Sequence, residues 1–159
     1  MRLILNTAHV YMIVGVISGL YYRELTKTHD FTGDTQLGVL HTHLLTLGML
    51  FFLLVLALEK SFTLTAHPLF RWFYCVYNIG LVLTTSMMGL HGSLTVLGRD
   101  STTAISLLAG LGHIVLTAGL VLLFITIGKR IAPERASGSA TVARHPVTAT
   151  VVPATNNVR

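Results

Sequence analysis

Residues 37–60 read LGVLHTHLLTLGMLFFLLVLALEK. Apart from the closing Glu59-Lys60 pair, the stretch is greasy enough to lie in hydrocarbon, yet it keeps His41 and His43 two residues apart. A transmembrane helix needs about 20 mostly apolar residues to cross a core about 30 Å thick. Residues 37–58 meet that length. In lipid a backbone must satisfy its own hydrogen bonds, so a span of this kind is a helix. An imidazole placed there costs free energy unless something bonds it. The stretch therefore decides two things: the chain is an all-α membrane protein, and its chemistry lies with its histidines.

The rest of the chain agrees. Of 159 residues, 52% are hydrophobic and 11% charged, where a soluble domain carries about 25% charged residues. Mean hydropathy is +0.70. Four apolar segments stand out, at about 3–22, 37–58, 69–91 and 102–127. They predict one domain over residues 1–131, four transmembrane helices running up and down. The tail, 132–159, is rich in Ala, Ser, Thr, Val and Pro and lacks helical periodicity. That composition predicts a disordered segment. The first apolar segment is expected to be a span rather than a secretory signal, since its charged lead is Arg2 alone and no small-x-small site follows. Its Gly15-x-x-x-Gly19 spacing instead suits close helix packing.

The formal net charge of +5 does not point to nucleic acid, because no basic stripe with interleaved aromatics exists. Membrane topology explains it better. Four spans put Arg2, Lys60, Arg71, Lys129, Arg130 and Arg135 on one side. Arg23, Lys27 and Arg99 fall on the other, beside Glu24, Asp30, Asp34 and Asp100. Lys and Arg favour the cytoplasmic side, so both termini are expected in the cytoplasm, in a bacterial inner membrane. The lone Cys75 cannot form an intramolecular disulfide and reads as a small buried apolar residue.

His29, His67 and His145 fall in loops or the tail, where a solvated role is expected. His9, His41, His43, His91 and His113 fall within or at the ends of spans, where ionisable residues mark functional sites. His41 and His43 carry the sharpest signal. At i and i+2 their side chains leave the helix about 200° apart, so each serves a different neighbour. In a cyclic oligomer, His41 of one copy would face His43 of the next, where two imidazoles on one iron could hold a haem; the alternative is that each imidazole bonds a backbone carbonyl or a hydroxyl on a neighbouring helix, such as Thr46, Thr84 or Thr85. Gly48, seven residues after His41, leaves room for a flat ligand on that face. Arg99 and Arg23 are candidate partners for anionic haem propionates, since a guanidinium suits a carboxylate. His91 ends the third span at a depth similar to His41 and is a further candidate ligand. His113 sits among Ser106, Gly110 and Gly112 and reads as a second ligand, a proton-handling group or a satisfied core histidine.

At Leu40–Phe52, LHTHLLTLGMLFF, the chain resembles the haem-copper oxidase subunit I superfamily, which includes nitric oxide reductases. In that family one helix carries an HxH pair serving haems in two crevices, and twelve helices form three arcs of four. The resemblance implies that this chain supplies one arc, and that a homotrimer rebuilds the ring. It pairs His41 of one protomer with His43 of its neighbour on haem b, and sets Arg99 in the loop that binds propionates. Quinone or another electron carrier would be the partner. The copper histidines and acidic proton channels of the family have no counterparts here. The expected chemistry is therefore electron transfer or haem holding rather than oxygen reduction. The chain also resembles a family of short four-helix bacterial membrane proteins of unassigned function. Three rival readings are a copper or other metal site built from His41, His43 and His91, a cofactor-free assembly protein, and a proton-coupled transporter using His9 and His113.

Overall fold

The computed structural model describes the backbone of residues 1–142 and the side chains of residues 1–131. Four helices are long and apolar enough to span a membrane, which makes this a multi-pass membrane protein. They are α1 (Arg2–Thr28), α2 (Leu37–Phe62), α3 (Leu69–Val96) and α4 (Thr103–Val142), of which Thr103–Ile131 is the apolar part. Each begins close to its expected start and outruns its expected end. Hydropathy marks only the greasy portion, whereas a nucleated helix adds one backbone bond for each residue it fixes. For the same reason residues 132–142, expected to be disordered, are helical in backbone, while 143–159 lie outside the described residues.

Chain ends and loops sort into two groups. The starts of α1 and α3 share one end with the close of α2, here called the Arg2 end. The loops 29–36 and 97–102 share the other, the Arg99 end.

Glycines set the spacing between neighbouring helices. On α1, a Cβ added at Gly15 would lie 2.8 Å from Leu45, and one at Gly19 would lie 3.6 Å from the Cβ of His41. The Gly15-x-x-x-Gly19 spacing thus forms the α1–α2 seam, as expected from small residues that admit a close neighbour. Between α3 and α4 the seam is made by Gly80 against Leu116, Gly112 against Thr84 and Gly119 against Tyr77. Between α2 and α3, Gly92 receives Leu37 and Gly89 receives Leu40. Polar side chains bridge α1 to α3: Tyr11 donates to the Asn78 amide oxygen at 2.8 Å, and the Thr7 and Tyr74 hydroxyls meet at 2.6 Å. Among the described residues α1 and α4 share no contact, so the helices form an open row, not a closed bundle.

The core is an aromatic cluster near the Arg2 end. Phe51 stacks on Tyr77 with centroids 4.3 Å apart, and Phe52 meets Tyr77 edge-on at 5.7 Å. Tyr11 stacks on Phe52 from α1. Such pairs add to the free energy of burial through their ring quadrupoles. Cys75 lies outside this core. It is exposed on α3, because Phe73 and Tyr77 take the buried face and leave Cys75 on the other side. The expectation of a buried thiol is corrected accordingly.

Within α2, Leu44–Leu50 is a π-helical stretch that begins directly after His43. Its wider turns are uncommon and recur at functional sites.

Candidate functional site

The two histidines of the HxH pair take different environments. His41 lies against α1, its Cβ over Gly19. Its Nδ1 is buried with no hydrogen-bond partner among the described residues. His43 leaves the helix on another side, half-buried, and its Nδ1 bonds the Val39 carbonyl one turn back at 2.9 Å. With that nitrogen donating, the Nε2 lone pair is the free end, the arrangement that metal-bound histidines use to fix tautomer and ring orientation. One ring of the pair thus lies against α1, and the other is bonded back along its own helix. The flank that His41 faces, however, is covered by α1 of its own chain.

Gly48 shares the α1-facing side with His41, as its seven-residue spacing implies. The space beside it is not left for a flat ligand: a Cβ there would collide with the ring of Tyr11. Its role in this chain is to admit an aromatic side chain from α1.

His91 does not end its helix, which continues to Val96. Tyr77, Thr84 and His91 are seven apart on α3, and the first two face Gly119 and Gly112 of α4. The Nδ1 of His91 and the Oγ1 of Thr84 are both buried and without partners among the described residues. His113 is exposed on α4, with Nδ1 bonded to the Ala109 carbonyl at 2.8 Å. The core reading of His113 is therefore corrected. Gly112 packs into the α3 seam, whereas His113, one residue on, turns about 100° away from it, and Gly110 meets nothing within 4 Å. His9 is exposed near the Arg2 end, far along α1 from Gly19 and its neighbour His41.

Arg99 is exposed at the Arg99 end. Gly98, at φ +63°, lets its own N–H reach Thr95 and the Arg99 N–H reach the Leu94 carbonyl, the double bond that closes α3. Arg23 is exposed too and lies 3.8 Å from Glu24. An ion pair in water contributes little. His67 accepts the Leu69 N–H at 3.2 Å and so caps α3, while His145 lies outside the described residues.

Two polar devices carry no local signal in the sequence. Glu59, buried at the close of α2, accepts the Thr65 N–H at 2.9 Å and the Thr65 hydroxyl. Arg130 of α4 donates to the Phe62 carbonyl at 2.8 Å and to the Thr63 hydroxyl. Both satisfy groups that a helix end leaves open. Glu59-Lys60 looks like an ordinary interfacial charge pair in sequence, and nothing local announces a carboxylate folded back on residue 65.

Among the described residues no group of three or more His, Cys, Asp or Glu side chains is placed to hold a metal ion. A bare copper site of His41, His43 and His91 is not assembled within one chain. No curated protein and no solved structure matches the chain, so the oxidase resemblance rests on residues 40–52 alone. Over residues 1–130 the chain matches a described family, and it belongs to that family, the proteins of unknown function DUF2871.

Proposed function

We propose that this protein is a b-type haem-binding membrane protein that transfers electrons or holds haem, with His43 as one axial ligand. The observation that carries the reading is the His43 imidazole. Its Nδ1 is held by the Val39 carbonyl at 2.9 Å, half-buried in an apolar span, with Nε2 left as a ligand. A structural histidine gains nothing from keeping that nitrogen unpaired in lipid. Haem also suits the shortage of clustered donors. Its macrocycle supplies four nitrogens, so the protein need add only two, whereas a bare ion draws most of its ligands from side chains. With both axial positions filled by imidazole there is no open iron coordination site, which favours electron transfer over oxygen chemistry.

The oxidase resemblance implies further detail: Arg99 and Arg23 at the propionates, a homotrimer forming a twelve-helix ring, a quinone as electron partner, and His41 of a neighbouring copy as one candidate for the second ligand. The Lys and Arg distribution supports a bacterial cytoplasmic membrane with both termini inside.

The test is an absorption spectrum and a pyridine haemochrome assay on protein purified from haem-replete cells. A Soret band with sharp reduced peaks is expected, and His43→Leu should lower bound haem by roughly tenfold or more. A colourless wild-type preparation overturns the reading. A colourless preparation that binds copper would favour the metal-site alternative. One that binds neither would favour a structural or assembly role.

A further inference from the structure

We infer, resting on the haem reading above, that the second axial imidazole is His113 of the same chain, across a notch between α2 and α4. The oxidase resemblance points elsewhere, to His41 of another copy. Three observations favour His113.

The rings of His43 and His113 are held alike. Each Nδ1 bonds the carbonyl four residues back, Val39 at 2.9 Å and Ala109 at 2.8 Å, which leaves each Nε2 as the ligand end. His29 makes the same bond to Leu25 at the exposed end of α1, so the bond by itself selects no site. Depth and flank do.

Their depths agree. Along α3, α4 is registered by Gly119 at Tyr77, Leu116 at Gly80 and Gly112 at Thr84. Along the same helix, α2 is registered by Leu37 at Gly92 and Leu40 at Gly89. Carried forward, these place His113 level with Leu83 and His43 level with Ser86. At about 1.5 Å per residue the two differ by only about 4.5 Å along the axis.

Their flanks converge. α2 turns His41, Leu45 and Gly48 toward α1, and Leu37 and Leu40 toward α3. His43 falls about 60° beyond Leu40, on the side away from α1. On α4, Ile127, Leu120 and His113 are seven apart along one stripe. Ile127 and Leu120 pack against the core, and His113 continues the stripe toward the Arg99 end. The two helices meet only near the Arg2 end, where Arg130 holds Phe62 and Thr63. Among the described residues, the α2 backbone from Leu37 to Leu50 does not come close to that of α4. The helices therefore diverge into a wedge floored by α3, with one histidine on each wall.

The α3–α4 seam beside the wedge, where Thr84 meets Gly112, carries orphaned polar atoms. Thr84 is 1% exposed, and its Oγ1 has no partner among the described residues. His91 Nδ1, one stripe position further along α3, is unpartnered as well. His41, by contrast, has α1 over its face, and Tyr11 fills the space at Gly48.

Single-residue variants analysed by absorption and electron paramagnetic resonance spectra decide the matter. Wild type should give a six-coordinate, low-spin haem. His113→Ala should either lose haem by roughly tenfold or more or turn high-spin. Free imidazole added to His113→Gly should restore the low-spin spectrum, which a misfolded variant would not allow. His41→Ala should keep the wild-type spectrum, and detergent-dispersed monomer should retain its haem. A low-spin spectrum unchanged in His113→Ala, with loss in His41→Ala, overturns this assignment and leaves the haem reading standing. Colourless wild-type protein removes both.

Discussion

A single methyl group distinguishes Gly112 from Gly110. At Gly112 an added Cβ would press on the Thr84 side chain and come within 2.9 Å of its backbone nitrogen, whereas Gly110 has nothing within 4 Å. Backbone cannot swing aside as a side-chain tip can. Gly112→Ala is therefore expected to destabilise the fold by about 1–3 kcal/mol, the usual cost of overpacking. Gly110→Ala should be neutral or slightly stabilising, since Ala is the better helix former. Unfolding in mixed micelles, followed by circular dichroism, measures the difference; equal effects at the two positions would contradict the α3–α4 seam. Gly15 and Gly19 could be read from their four-residue spacing. The role of Gly112 could not, because Gly110 and Gly112 look alike in sequence and only the rotation of α4 separates them.

The π-helical stretch Leu44–Leu50 is the local structure least visible in the sequence. Leu44, Leu45, Leu47, Met49 and Leu50 all suit an ordinary α-helix. What supports the wider turn is tertiary. Tyr77 of α3, fully buried, donates its hydroxyl to the Leu47 carbonyl at 2.8 Å. Its ring stacks on Phe51 at the first residue past the stretch. Tyr77→Phe keeps the stack and removes the donor. The expected loss is about 1 kcal/mol of stability, with faster amide exchange at Phe51 and Phe52 than in wild type. Unchanged exchange there would mean that the π turn does not depend on this bond.

At the scale of the whole molecule, the open row matters most. α4 is fastened to α3 by glycine seams and to α2 only at the Arg2 end, which leaves the histidine-bearing half of α2 uncovered on that side. The proposed orientation of the row in the membrane rests on its charges. In a Cys75→Ser background, Ser101→Cys should react with an impermeant maleimide added outside intact spheroplasts. Ser61→Cys should react only after permeabilisation. The opposite pattern would invert the proposed topology and put the histidine end on the cytoplasmic face.

Hydropathy accumulates residue by residue, so the sequence by itself determined that the chain is a membrane protein of four spans, and close to where each begins. It also determined that His41 and His43 leave α2 on different sides, because helix geometry sets that angle. Helix packing alone decided what each side meets: α1 over His41, Tyr11 in the space beside Gly48, and an open flank by His43. It also turned His113 outward and left Thr84 sealed without a partner. Those outcomes depend on the register between helices and on which flank each neighbour covers. Register is set by where glycines let backbones touch, through contacts between residues far apart in the chain that no local pattern records.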